Sequence, residues 1–157
     1  MAVFTKINSK DIKKIENIFN LGVINKVEGI KKGIENTNYI IKFNNTKFVL
    51  TIFEKRVKTK DLPFFMNLMS GLSNLKINCP KPIKTKKKSY LFNIKNKKAC
   101  LVSFLKGNDK KTLTPKDCYI LGKNIAILHK ATKKLKLYRK NSLDVKSWSN
   151  LNKKIDR

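Results

Sequence analysis

The sequence predicts an α+β fold: a five-stranded antiparallel sheet with one helix inserted after the third strand, followed by the first helices of a second lobe. Three observations carry this. Alternating apolar residues recur in three short runs between Val23 and Phe53, separated by turn signals. A broad helical pattern of apolar residues from Phe64 to Leu75 then interrupts the strands. Two further β-type runs follow before Thr114-Pro115 opens another helical pattern.

Taken in order, Ser9 is placed to cap a first helix whose Ile12, Ile15, Ile18 and Phe19 share one face, and Gly22 can end it. Val23 to Glu28 reads as a short strand, followed by a loop holding Gly29 and Gly33. Thr37 to Phe43 alternates, with Tyr39, Ile41 and Phe43 on one side. Asn44-Asn45 is a turn, and Lys47 to Phe53 points Phe48, Leu50 and Ile52 inward. Asp61-Leu62-Pro63 is an N-cap with proline in the first helical turn. Cys79-Pro80-Lys81-Pro82 ends that helix in extended form, because a residue before proline avoids the helical region. Strands follow at Ser89 to Phe92 and Lys98 to Phe104. Thr114, Pro115 and Asp117 then start a helix expected to bury Cys118, Leu121, Ile125 and Leu128. The stretch from Ser142 to Arg157 shows no stop signal.

A chain of 157 residues with 41% hydrophobic residues can build one domain with a core, which excludes a disordered chain. No apolar run approaches the ~20 residues of a membrane span, and no signal-peptide core precedes Asn20, so the expected location is cytoplasmic. Cys79, Cys100 and Cys118 match no zinc or redox spacing and read as reduced, mostly buried thiols. The formal charge of +27 points first to nucleic acid. Yet of 37 basic residues only Arg56, Arg139 and Arg157 are arginine, the side chain suited to bidentate contacts with phosphate and guanine. The charge is therefore read as solvated lysine, with weak polyanion binding as its consequence and no specific nucleic-acid partner.

Five antiparallel strands with one inserted helix form the layout of a protein-kinase-like N-terminal lobe, here residues 1–106, with a hinge and the start of a helical lobe in 107–157. In that lobe the loop between strands one and two lies over ATP phosphates, and the link after strand five meets adenine. The segments "MAVFT", "GIKKGIENTN", "KFVLTIFEKR", "DLPFF", "CPKP" and "ACLVSFLKG" resemble the homoserine kinases of the aminoglycoside phosphotransferase and choline kinase superfamily. The likeness continues through "LGKNIAILH" and "RKNSLDVKSW". It implies ATP- and Mg²⁺-dependent phosphorylation of the side-chain hydroxyl of L-homoserine, on the route to threonine. Related kinases for choline, aminoglycosides or methylthioribose are the alternative within enzymes, and a basic nucleic-acid-binding module is the alternative outside them.

The residues allow two readings of the glycine loop. Gly29 and Gly33 let backbone N–H groups approach phosphate oxygens, with Asn36, Thr37 and Asn38 adding donors; the same stretch also suits the bend of a β-hairpin. The resemblance favours the phosphate loop. Ser103, Phe104 and Leu105 stand at the hinge, where backbone groups would meet adenine, or else form an ordinary strand end. Thr51 occupies the place of the strand-three lysine of many kinases, leaving Lys42 and Lys55 as candidate cations. The inserted helix carries Asn67 and Ser70 in place of a partner acid, and His129 is expected to pack rather than to act as a base.

No H-x-D-x-x-x-x-N pattern occurs, and Asp109, Asp117, Asp144 and Asp156 stand alone, so neither a catalytic acid nor a metal ligand is assigned within the chain. The sequence is accordingly expected to be the N-terminal half of such a kinase.

Overall fold

The computed structural model describes residues 3–55, 57–141 and 144–152. A helix, α1 (Ser9–Ile18), precedes three strands, β1 (Ile24–Gly29), β2 (Thr37–Phe43) and β3 (Thr46–Ile52). A 3₁₀ turn leads into α2 (Leu62–Asn74), and β4 (Leu91–Ile94), β5 (Lys97–Ser103), α3 (Pro115–Lys134) and α4 (Val145–Asn152) follow. The strands form one antiparallel sheet in the order β1-β2-β3-β5-β4. The expected α+β, kinase-like N-terminal lobe is what the chain forms.

Period-two alternation divides the sheet into two faces. Tyr39, Ile41 and Phe43 of β2, Phe48, Leu50 and Ile52 of β3, and Ala99 and Leu101 of β5 are buried together on one face. Helix α1 covers that face with Ile15 and Phe19. The Phe19 ring meets Phe92 edge-on at 5.4 Å between centroids and Phe43 at 6.5 Å. Burying a side chain of this size contributes about 1.5–3 kcal/mol, so this layer holds the lobe together. The opposite face carries α2: Met66 packs with Cys100 and Val102, joined by Val49, Phe53, Phe65 and Met69. The Cys100 thiol is pushed up to about 12 by its burial, while Cys79 is half-buried and Cys118 exposed. The expected burial of Cys118 therefore does not hold.

Local capping differs from expectation at two helices. Asn8, not Ser9, caps α1: its Oδ1 accepts from Asp11 N at 3.0 Å, and the Asp11 carboxylate accepts from Asn8 N at 2.9 Å. Asp61 stands at the start of α2 but makes no capping bond: its backbone is already helical, at φ = −89° and ψ = −16°, and its carboxylate accepts from Arg139 at 3.1 Å. At α3 the expected capping box is present, with Thr114 and Asp117 bonded reciprocally.

Helix α3 corrects a further expectation. Of its described residues only Ala131 is buried; Leu121 and Ile125 are 58% and 44% exposed, and Cys118 is exposed too. Its contacts run to α2 near its C-terminal end, where Leu135 closes on Gly71: a Cβ on that glycine would stand 2.8 Å from Leu135 Cδ2. Among the described residues no helix is long and apolar enough to cross a membrane.

Candidate functional site

The loop between β1 and β2 projects from the end of the sheet. Residues 31–35 are exposed, and Gly33 has φ = +123°, a conformation that L side chains rarely adopt. Gly29 has a different reason for being glycine. A Cβ there would stand 2.9 Å from Val3 Cγ2 and 3.6 Å from the Tyr39 ring, so it admits the N-terminal segment against the sheet.

The base of the loop is anchored by a buried polar network that sequence reading did not find. Thr37 is fully buried. Its hydroxyl accepts from the backbone N–H groups of Phe4 and Thr5, both at 3.0 Å, and donates to Glu54 Oε1 at 2.8 Å. Thr5 Oγ1 also donates to Glu54 Oε1, at 2.7 Å, and Lys97 pairs with both Glu54 and Thr5. Burial pushes the Glu54 carboxyl up, but hydrogen bonds from Lys97, Thr5 and Thr37 outweigh it and leave the group below its ordinary value. The Thr37 hydroxyl is thus committed to structure, and its place in the site is to hold the loop.

The neighbouring asparagines are placed otherwise. Asn36 Oδ1 accepts from the backbone N–H of Glu54 at 3.2 Å, and Asn38 Oδ1 accepts from Thr51 Oγ1 at 2.7 Å. Asn38 lies opposite Thr51 in the β2–β3 ladder, on the face shared with Ile40 and Val49. All four are half-buried on the side of the sheet that also carries α2. Lys42 pairs instead with Lys47, four residues from Thr51, or about 13 Å along an extended strand. Lys55 is exposed beyond the end of β3. Neither lysine stands next to Thr51.

At the hinge, Ser103 bonds back to Lys81 twice, through its backbone N–H and its hydroxyl oxygen, each at 2.9 Å. Its N–H is therefore occupied. The chain leaves the sheet at Phe104, whose ring has Lys47 Nζ at 5.6 Å from its centroid, and Leu105 is 41% exposed. Loop and post-hinge segment meet once, where exposed Lys32 donates to exposed Asp109 at 3.2 Å.

The remaining expected residues have local tasks. Ser70 bonds the Tyr90 hydroxyl at 2.8 Å, and Asn67 is exposed. Asp117 caps α3 and pairs with Lys110, which with Thr114 holds its carboxyl below the usual range. Asp144 accepts from Ser147 N and Oγ, which lower its carboxyl likewise. His129 is exposed rather than packed, and Asp156 lies outside the described residues. Among the described residues no three His, Cys, Asp or Glu side chains gather as a metal site.

A sheet of this topology, with an anchored glycine loop at one end and the β5 exit at the other, has the layout of a kinase-like N-terminal lobe. The chain matches the APH phosphotransferase enzyme family over residues 26–157, and it belongs to that family. It is 36% identical over 151 residues to a homoserine kinase of Parvibaculum lavamentivorans, covering 96% of this chain and 47% of the relative. Homoserine kinases of Methylocella silvestris and Allorhizobium ampelinum match over the same shares at 33% and 36% identity. The chain thus spans about half the length of the curated relatives it matches. A spectinomycin phosphotransferase, solved with ADP and spectinomycin, shares the fold with a TM-score of 0.64 at 16% identity, over 81% of this chain and 39% of that one. A microcompartment-associated aminopropanol kinase does so with a TM-score of 0.60 at 11% identity, over 78% and 40%.

Proposed function

We propose that this chain is the nucleotide-binding half of a homoserine kinase, which passes the γ-phosphoryl group of ATP to the side-chain hydroxyl of L-homoserine. The observation that carries the reading is the match to homoserine kinases along 96% of the chain, glycine loop included. Residues 1–106 form the upper lobe and 107–157 the hinge and the start of a second, helical lobe. The donors around Asn36 and Asn38 suit an anionic polyphosphate, and ATP would supply the phosphoryl group there. Mg²⁺ is required by the chemistry, but the described residues offer no cluster to hold it, so its ligands and the catalytic acid belong to the half of the relatives that this chain does not span. A second acceptor class, such as an aminoglycoside or choline, is compatible with the same upper lobe.

Two assays test this. Purified 1–157 with homoserine and Mg-ATP is expected to show no turnover, because binding without a positioned nucleophile stabilises no transition state. A full-length version joined to the second half of the Parvibaculum lavamentivorans relative is expected to phosphorylate homoserine in preference to choline or kanamycin. Turnover by 1–157 alone, or preference for another acceptor, overturns the reading.

A further inference from the structure

We propose that Asn36 and Asn38 act as a pair of amide donors to the polyphosphate of a nucleoside triphosphate, held in that orientation by the end of β3, and that Thr51 is the residue that positions Asn38. This deepens the nucleotide-site reading above and rests on it. The argument begins with what each amide has already committed. A backbone N–H can only donate, so the group facing Glu54 N is the Asn36 oxygen, at 3.2 Å. The Asn38 oxygen is taken by the Thr51 hydroxyl at 2.7 Å. Both carboxamides are therefore pinned by their oxygens, Asn38 to Thr51 within β3 and Asn36 to Glu54 just beyond its end, which leaves their N–H₂ ends as the groups able to donate. The second bond of Asn38, to the Asn36 carbonyl, is long at 3.5 Å and easily exchanged for a better acceptor.

Asn38 lies on the face of Ile40 and Val49, and Asn36 stands in the bend just before β2, two residues earlier. Between them stands Thr37, whose side chain points to the other side and is buried with Glu54 and Thr5. One buried anchor is thus flanked in sequence by two half-buried amides. A threonine at position 51 fits the same logic. A lysine there would place its ammonium group against anions directly. Thr51 is too short for that, and its hydroxyl instead fixes an amide that can. Lys42 lies about 13 Å along the strand and Lys55 beyond its end, while Lys98 stands on the same face two residues from Cys100, the β5 partner of Thr51.

The test follows the side-chain amides of the ¹⁵N-labelled chain by NMR while Mg-ATP or adenosine is added. Mg-ATP is expected to shift the Asn36 and Asn38 N–H₂ resonances and adenosine to leave them in place. Asn38→Asp and Thr51→Val should each weaken ATP about tenfold with adenosine affinity unchanged, and Thr51→Ser should restore it. Variants that bind ATP like the wild type overturn the inference while the nucleotide reading stands. Equal loss of ATP and adenosine also overturns it, because that marks a merely structural role. A wild-type chain that binds neither ligand overturns the inference and the nucleotide reading together.

Discussion

Arg139 Nη1 donates to Asp61 at 3.1 Å, and its guanidinium lies 5.2 Å from the centroid of the Phe65 ring. One side chain thereby ties the segment after α3 to the first turn of α2. Both partners are largely shielded, at 28% and 22% side-chain exposure, so the pair is screened less than a surface bridge. Arg139→Met is expected to cost about 1–2 kcal/mol, from the ion pair and the ring contact together. Arg139→Lys should recover only part of this, because an ammonium cannot both stack and bond with a planar fork. Thermal melts of the two variants decide it: equal melting of Arg139→Lys and wild type would show a charge effect alone.

Gly33→Val separates the phosphate loop from a bare hairpin bend. At φ = +123° any L side chain is strained, but the loop is exposed and can rearrange, so the stability loss should stay within about 1–2 kcal/mol. Affinity for Mg-ATP should fall about tenfold, because the rearranged backbone no longer closes on phosphates. Calorimetry and ATP titration of the same variant give both numbers. Early melting with unchanged ATP binding would leave the loop as a bend.

The Glu54 network predicts a pH dependence. The folded carboxyl titrates below its ordinary 4.5, so its stabilisation is fully present above that value and is lost as the pH falls through the lower folded value. Wild-type melting temperature should drop more steeply than that of Glu54→Gln between about pH 5 and pH 3. At neutral pH Glu54→Gln should be less stable by about 1–2 kcal/mol, since Lys97 then faces an uncharged partner. Parallel acid slopes in the two proteins would remove Glu54 from the account.

Polyanion binding should be weak and indifferent to base sequence. The lysines described on the surface serve several faces, from Lys26 on β1 to Lys110 before α3, and no arginine among the described residues is free of a structural task. Binding of this kind releases counterions and collapses between about 50 and 200 mM salt. Fluorescence anisotropy with two unrelated duplexes measures this. A strong preference for one of them at physiological salt would favour a nucleic-acid module.

Much of the lobe is written locally. The alternation in Thr37–Phe43 determines by itself which side chains of β2 face the core, because a strand has period two and one face must be buried. Thr114, Pro115 and Asp117 likewise determine the start of α3, since a capping box closes within four residues. The candidate site is legible only in part on this basis: "GIKKGIENTN" marks the loop, but not which polar groups of Asn36, Thr37 and Asn38 are taken up in structural bonds. Tertiary structure decides that, through bonds between residues distant in sequence. Glu54 meets Lys97 and Thr5 across 43 and 49 positions, and the result commits the buried Thr37 hydroxyl, while Thr51 takes the Asn38 oxygen. Arg139 reaches back 78 positions to pair with Asp61, a contact that no local pattern announces. The apolar periodicity of α3 announces a face to be covered but carries no information on what covers it: Cys118, Leu121 and Ile125 stay exposed and Leu128 is half-buried. Local pattern sets the faces of each element, whereas pairing energies between separate elements choose which polar groups are spent on structure and which remain to bind.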